Sequence, residues 1–218
     1  MLCSAALEFY KLYGVSPGDR VVVLTNNDSA YSSVIELFNA GISVPLVIDV
    51  REKSDGNLPL KAKKLGIRVE YSKAISKVIG KKKVKAVELC SVVGEGAVLE
   101  TIICDSVLMS GGWTSTLNLW SHCGGKIKWD SKLNTLVPDE SFPSINEFGR
   151  SFITVLGSAD GKFWPSDLFA NIEKKLNILY SELNLKKTKT IRYDIDKSIN
   201  SETSSIFCVP EAADENLK

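Results

Sequence analysis

The feature that most constrains the fold is a pair of short apolar runs separated by a helical pattern. Residues 20–25 and 44–50 are rich in β-branched side chains, which is typical of strands buried on both faces of a sheet. Between them, apolar residues recur at helical spacing from Ala30 to Ile42. Strand, turn, helix and strand within about 30 residues form a βαβ unit with a right-handed crossover. The sequence therefore predicts a parallel sheet with residues 20–25 as a central strand.

Further elements extend this unit on both sides. A helix is predicted over residues 2–13 and ends at Gly14, and residues 76–104 carry short apolar runs broken by glycines, which indicate an antiparallel meander. Other predicted elements are a helix at 57–66, strands at 67–71 and 105–110, a short helix at 115–122, a hairpin at 126–137, a strand at 152–156 and a helix from Pro165. The predicted class is α/β, a Rossmann-like parallel sheet with an antiparallel β-meander.

The domain boundary is expected near residue 139, where Pro138 and Pro143 interrupt the pattern. The strand at 152–156 and the helix from Pro165 are too few to form a domain of their own. Beyond residue 185 the chain is polar and reads as a linker or tail.

Composition removes several classes of function. The net charge of +1 gives no overall field for a polyanion, so nucleic acid is a poor partner. Five cysteines without a C-x-x-C pair, together with a single histidine, indicate reduced thiols and no metal site. No apolar run is long enough to span a membrane and no secretory signal is recognisable, so a cytoplasmic protein is expected.

The turn after the first strand is the strongest local candidate for a binding site. Thr25, Asn26, Asn27 and Asp28 stand at the carboxyl end of a parallel strand and at the start of a helix, where nucleotides bind. The usual G-x-G-x-x-G is missing, and Asp28 would repel a phosphate while favouring the helix dipole. A bound nucleotide and a purely structural helix cap both remain open.

Asp49 and Arg51 follow the second strand. An acidic residue about 20 positions after the turn matches the carboxylate that holds an adenosine ribose in dinucleotide-binding domains. Arg51 either contacts adenine or a phosphate, or is a solvated surface charge. Strand-end carboxylates are common, so Asp49 also has a structural interpretation.

Gly111, Gly112 and Trp113 end the last predicted strand of the sheet. They offer backbone amides and an aromatic face to a ribose or a flavin ring, or they form a tight turn with a buried tryptophan. His122 has no carboxylate or serine partner in the sequence. No catalytic residue is predicted.

Four strings in the chain carry a more specific signal: YGVSPGDRVVVLTNNDSAY, VIDVR, SVLMSGGW and HCGGKIKWDSKLNTLVP. In content and order they resemble consecutive segments of the alpha subunit of heterotetrameric sarcosine oxidases, over about residues 1–183. The resemblance implies an internal segment of a flavoprotein with two dinucleotide-binding domains. It places residues 1–15 as a connector from the first domain, 16–139 as the second, nucleotide-binding domain, 140–184 as a return to the first domain and 185–218 as a linker or tail.

The same resemblance implies an activity that this chain would share only in part. The family demethylates sarcosine oxidatively to glycine, with NAD bound by alpha, flavin (FAD or FMN) in the complex, oxygen as electron acceptor and tetrahydrofolate as methyl-carbon acceptor. The implied partners are the beta, gamma and delta subunits and the missing alpha regions, without which the chain would be inactive. Exposed apolar surface is then expected around residues 1–13 and 152–183.

By resemblance, Thr25 to Asp28 and Asp49 border the nucleotide cleft, and Gly111 to Trp113 face its junction. Gly157, Asp160 and Gly161, within the string GSADG, would approach the dinucleotide of the first domain. Two other functions are kept beside this one: a non-catalytic nucleotide-binding or interaction module, and an independent NAD(P)H-dependent reductase.

Overall fold

The computed structural model describes residues 1–94 and 96–186, and these divide into two compact units. The first unit comprises Met1–Gly112, and the second begins at Trp113. This division falls before the boundary expected near residue 139, because the last strand of the parallel sheet ends at Ser110 and the chain then leaves it.

Among its described residues, the first unit contains three helices and seven strands. The helices are α1 (Cys3–Tyr13), α2 (Ser29–Asn39) and α3 (Asn57–Lys64). The strands are β1 (Arg20–Thr25), β2 (Ser43–Asp49), β3 (Val69–Tyr71), β4 (Lys73–Gly80), β5 (Val84–Ser91), β6 (Val98–Ile103) and β7 (Ser106–Ser110). Four of the strands form a parallel sheet in the order β3-β2-β1-β7, and β4-β5-β6 form an antiparallel sheet.

The parallel sheet is covered on both faces, which explains its continuous apolar strands. Side chains alternate along β1, so that Val21 and Val23 pack against the three helices while Val22 packs against the antiparallel sheet. Leu46 and Ile48 of β2 join the same second core as Val22. The first unit therefore has three layers: helices, parallel sheet and meander.

These elements confirm the predicted α/β class and the βαβ unit. β1 has the predicted bounds, and Gly14 ends α1 in the left-handed conformation with φ of 65°. The predicted cap of α2 differs in detail. Asp28 occupies the N-cap position, but its side chain makes no capping hydrogen bond because it is used in an ion pair.

The second unit is sparser in regular structure. It contains the helix α4 (Asn118–His122), a hairpin of β8 (Ile127–Asp130) and β9 (Thr135–Pro138), a 3-10 turn at Gly157–Asp160 and the helix α5 (Pro165–Glu182). Gly125 lies so close to the Trp120 ring that a side chain there would overlap the indole. Trp120 also donates its Nε1–H to the Lys126 carbonyl at 2.7 Å, which fixes the turn between α4 and the hairpin.

The predicted strand at residues 152–156 does not form. Residues 152–156 have no regular secondary structure and, within the described part of the chain, no strand to pair with; the isolated bridge between Ile145 and Ser151 lies just before them. A strand needs a neighbour to accept its backbone hydrogen bonds, so apolar pattern alone was insufficient here. Among the described residues, no helix combines the length and apolarity needed to cross a membrane.

Candidate functional site

The carboxyl edge of the parallel sheet gathers most of the predicted site residues. Thr25 and Asp49 lie side by side in register at the ends of β1 and β2, and Thr25 also pairs with Ser110 at the end of β7. The turn after β1 is buried: Asn26 and Asp28 are each 4% exposed, and Asn27 is fully covered. The parallel sheet therefore brings Thr25, Asn26, Asn27, Asp28 and Asp49 together, as the βαβ pattern predicts.

The Asn27 side chain accepts a hydrogen bond from a backbone N–H group at the start of helix α2. Its Oδ1 accepts from the Ser29 backbone N–H at 3.0 Å and from the Ser29 hydroxyl, and its Nδ2 donates to the Ser110 carbonyl at 3.2 Å. The Asn27 backbone N–H donates in turn to the Thr25 hydroxyl at 3.1 Å. A helix N-terminus attracts anions through such N–H groups. Here the Ser29 N–H already donates to the side-chain oxygen of Asn27, so it is not available to an anion.

Asp49 is engaged at both carboxylate oxygens. Oδ1 accepts from the Arg51 backbone N–H at 3.1 Å and from Arg51 Nε at 2.9 Å, and Oδ2 accepts from Arg51 Nη2 at 2.7 Å. Oδ2 also accepts from the Tyr31 hydroxyl at 2.8 Å. The carboxylate is 0% exposed. Arg51 therefore grips Asp49 in the bidentate geometry that suits a guanidinium and a carboxylate.

Arg51 reaches a second carboxylate with the same nitrogen. Its Nη2 donates to Asp28 Oδ1 at 2.7 Å, and the Ser54 hydroxyl donates to that oxygen at 2.9 Å. Asp28 Oδ2 lies against Gly56, where any side chain would overlap it. We call the five residues Asp28, Tyr31, Asp49, Arg51 and Ser54 the Arg51 cluster.

Burial and charge act against each other in the Arg51 cluster. Burial tends to lower the pKa of Arg51, but hydrogen bonds and charges from Asp49 and Asp28 outweigh it and raise that pKa above its ordinary value. Burial, followed by the Asp49 charge and hydrogen bond, strongly raises the pKa of Tyr31. Arg51 is thus a permanent cation and Tyr31 a neutral hydrogen-bond donor throughout the physiological range.

The glycines after β7 are joined to the same edge. Asn26 Nδ2 donates to the Gly111 carbonyl at 3.2 Å, and Gly112 has φ of 98°, a conformation that favours glycine. Trp113 opens the second unit and is 47% exposed, which does not match a buried tryptophan in a tight turn. Gly111 and Gly112 thus stand with the turn after β1, whereas Trp113 is in the other unit.

The remaining predicted residues form a separate cluster in the second unit. The Gly157 N–H donates to Asn171 Oδ1 at 3.1 Å, and Asn171 Nδ2 donates to Asp160 Oδ2 at 2.8 Å. Lys175 lies 3.5 Å from Asp160 and pairs with Glu140. Gly161 has φ of 71° and packs under Leu133 and Val137, where a side chain would press on both. The 3-10 turn is therefore tied to helix α5 by side chains.

Sequence reasoning missed Tyr31, Ser54, Asn171 and Lys175. Tyr31 lies on the buried side of α2 two positions after Ser29, but a tyrosine inside an apolar helical pattern gives no sign of a carboxylate partner. Asn171 is a polar residue beside Leu168 and Ile172 on the apolar face of α5, and that interruption is the sequence signal that could have found it. In the structure it is 9% exposed. Ser54 and Lys175 lie in polar stretches without any distinguishing pattern.

The chemistry available to these groups is limited. Burial raises the pKa of Cys3 to about 12 and also raises the pKa values of Cys90 and Cys104, so these thiols stay protonated and unreactive. His122 is exposed at the end of α4, and no hydrogen bond to a carboxylate or serine is found for it among the described residues.

Comparison with known proteins gives a specific result in sequence. The chain is 28% identical over 154 residues to the sarcosine oxidase subunit alpha of Rhizobium meliloti (strain 1021), which covers 71% of this chain. It is 32% identical over 146 residues to the sarcosine oxidase subunit alpha of Corynebacterium sp. (strain P-1), covering 64% of this chain. The chain spans about 15% of the length of either relative. It is therefore similar to one segment of sarcosine oxidase alpha subunits, as the four strings predict.

No protein family profile matches the chain. Among solved structures, the chain is similar to the L-proline dehydrogenase of P. horikoshii, with 20% identity, a TM-score of 0.41, and coverage of 82% of this chain and 31% of that one. It is also similar to the thioredoxin reductase of T. acidophilum, with 17% identity, a TM-score of 0.46, and coverage of 73% and 53%.

Proposed function

We propose that this chain is a non-catalytic part of a sarcosine oxidase-like oxidoreductase and works only together with further alpha-type polypeptide and partner subunits. The observation that carries the proposal is the similarity to two sarcosine oxidase alpha subunits over 146 to 154 residues. The proposed reaction is the oxidative demethylation of sarcosine to glycine, with flavin and oxygen and with tetrahydrofolate as acceptor, in the cytoplasm. The chain's own contribution is to position cofactor-binding elements.

The exposed apolar side chains support a need for further polypeptide. On and near α1, Leu2, Phe9, Leu12 and Tyr13 are between 47% and 68% exposed. This agrees with the apolar surface that the resemblance predicts for residues 1–13. Such a row on one helix is unusual for a monomer and fits a connector packed against another domain.

The second unit shows the same feature. Phe152, Ile178 and Leu183 are between 47% and 62% exposed, and they line one groove with Ile153 and Leu179. Residues 151–155 border this groove, and the segment 152–156 has no strand partner among the described residues. In the proposal, residues 140–184 return to a first dinucleotide-binding domain, whose sheet would provide the missing neighbour strand.

The proposed cofactors are NAD and a flavin, FAD or FMN, bound in the assembled enzyme. Gly157, Asp160 and Gly161 would approach the dinucleotide of the first domain, with Asn171 holding the 3-10 turn in place. Gly111, Gly112 and Trp113 would face the junction between domains. The turn Thr25 to Asp28, with Asp49 and Arg51, forms the corresponding edge of the second nucleotide-binding fold.

A chimera tests this proposal. The matching segment of the Rhizobium meliloti alpha subunit would be replaced by this chain and expressed with the other subunits of that enzyme. Sarcosine-dependent hydrogen peroxide production is the expected result, because the segment would supply its share of the cofactor-binding framework. The parent enzyme and a version lacking the segment are the two controls. Correct assembly with bound flavin but no sarcosine oxidation would contradict the proposed reaction.

A second candidate is a non-catalytic interaction module outside sarcosine metabolism. The closed Arg51 cluster favours it, since a unit whose carboxylates are internally paired has no evident use for a ligand there. Calorimetric titration of the chain with NAD, ATP, FAD and FMN separates the classes. Saturable binding of any of them would favour a working nucleotide domain over an interaction module.

A further inference from the structure

We propose that Arg51 is the built-in occupant of the nucleotide cleft in the first unit, so that Asp28 and Asp49 form a receptor for a guanidinium and not for a ribose. This inference rests on the proposed function in one respect only, the expectation that such a fold would hold a ribose at Asp49, and it replaces the ribose there with Arg51. It assigns to the carboxyl edge of the sheet an internal ligand of a definite chemical class.

The location of Asp49 is that of a ribose-binding carboxylate. It ends β2, next to the central strand β1 and 21 positions after Asp28 at the start of α2. A ribose hydroxyl there would donate to one or both carboxylate oxygens. Both oxygens already accept two hydrogen bonds each, from Arg51 and Tyr31. A ribose could bind only after Arg51 has left.

Protein side chains also occupy the place at the start of α2 where a phosphate of the nucleotide would bind. The Ser29 N–H at the start of α2 donates to Asn27, a protein side chain, and the carboxylate of Asp28 stands at the same helix end. The Asp28 carboxylate lies at the helix end where the pyrophosphate of a dinucleotide would bind. Two negatively charged groups placed there would repel each other. The cleft thus opposes a dinucleotide at both its ribose and its phosphate positions.

Moving the Arg51 side chain out of the cleft would cost much free energy, so the cleft stays closed to a nucleotide. Asp28 and Asp49 would be left as two buried carboxylates, 5% and 0% exposed at their side chains, without a cation between them. Removing one member of a buried pair is far more damaging than never having the pair. The guanidinium is also tethered two residues from Asp49, so its local concentration exceeds that of any free ligand.

Chemical rescue tests this directly. In Arg51→Ala, the cluster keeps both carboxylates, the Tyr31 hydroxyl and a guanidinium-sized space. We expect its melting temperature to fall by roughly 10–20 °C and to rise again with methylguanidinium at millimolar concentration. Sodium chloride and urea at equal concentration are the solvent controls.

The chain contains a matched control in Arg68, which bridges Glu70 and Glu100 at the surface. Arg68→Ala should lose little stability and show no recovery with methylguanidinium, because water already solvates its two carboxylates. Equal rescue of both variants, or of neither, would overturn the proposal. If Arg51→Ala does not fold, refolding yield with and without methylguanidinium gives the same readout.

Nucleotide binding provides the second arm. The unsubstituted chain should bind no NAD through Asp49, so a calorimetric titration with NAD should show no saturable signal. Micromolar NAD binding that Asp49→Asn abolishes would overturn the internal-occupant proposal while leaving the sarcosine oxidase proposal standing. If the chimera fails to oxidise sarcosine while methylguanidinium still rescues Arg51→Ala, the sarcosine oxidase proposal is overturned and the internal-occupant proposal stands.

Discussion

Two arginines of the first unit each bridge two carboxylates, one in the interior and one at the surface. Arg51 joins Asp49 and Asp28 with side-chain exposures of 10%, 0% and 5%, whereas Arg68 joins Glu70 and Glu100 with exposures of 45%, 33% and 42%. The distances are almost the same, 2.7 Å for both contacts of Arg51 and 2.8 to 2.9 Å for those of Arg68.

The difference between the two clusters lies in the solvent and not in the geometry. At the surface, water competes for every charge, so such a pair contributes at most about 1 kcal/mol. In the interior, each charge has been removed from water, and the loss of one partner leaves the others uncompensated. The two arginines therefore contribute very differently to the stability of the fold, although their hydrogen-bond distances are almost equal.

The largest expected effect comes from removing each arginine. Arg51→Ala should lower the free energy of unfolding by about 3–5 kcal/mol, and Arg68→Ala by less than about 1 kcal/mol. Urea denaturation followed by circular dichroism measures both. A loss of similar size in the two variants would show that burial does not separate the clusters.

A methyl group at Gly56 tests how rigidly the buried cluster is held. Gly56→Ala should destabilise the chain by about 1–3 kcal/mol, because the new side chain overlaps Asp28 Oδ2 and Asp28 is fixed by Arg51. Gly111→Ala is the control, since no atom lies within 4 Å of the position of its added methyl. Thermal unfolding of both variants gives the comparison. An unaffected Gly56→Ala variant would mean that Asp28 can move away at little cost.

Loss of one neutral donor should have a smaller effect. Tyr31→Phe removes the hydroxyl that donates to Asp49 Oδ2 and keeps the ring in the core, so about 1–2 kcal/mol should be lost. The denaturation midpoint of Tyr31→Phe measures this. Unchanged stability would indicate that Arg51 alone satisfies Asp49.

The smallest effect concerns the pH dependence of the surface cluster. Arg68 lowers the pKa of Glu100 below its ordinary value, so the contribution of this pair is present above the unfolded-state pKa and is lost as pH falls through the folded-state pKa. The stability difference between the unsubstituted chain and Arg68→Ala should therefore shrink with acid. It should also shrink with salt at neutral pH. A difference that persists in strong salt would argue against a screened surface pair.

Much of the fold could be predicted from local pattern. The β-branched runs of β1 and β2 are buried on both faces, and such strands have a continuous apolar signature that needs no tertiary information. The gathering of Thr25 to Asp28 with Asp49 also followed, because parallel strands place their carboxyl ends at one edge. By contrast, residues 152–156 have the composition of a strand but no partner among the described residues, and composition does not reveal whether a partner exists.

The sequence predicted that the candidate residues meet at one edge of the sheet, but it did not predict what their side chains contact. Asp49 was assigned to the cleft from its spacing, and Arg51 was left open between a nucleotide contact and a solvated surface charge. A ribose ligand and an internal ion pair place Asp49 at the same edge. The occupant depends on Tyr31 and Ser54, which reach the carboxylates from α2 and from the loop before α3. Their contribution arises from side-chain direction across elements that are distant in sequence.

The sequence by itself determined the α/β class, the central βαβ unit and the similarity of the chain to one segment of sarcosine oxidase alpha subunits, because periodicity and local strings are properties of neighbouring residues. Only the tertiary structure decided that Arg51 lies between Asp28 and Asp49. The physical reason is that the free energy of a charged group depends on which groups replace its water, and that is settled when separate elements pack together.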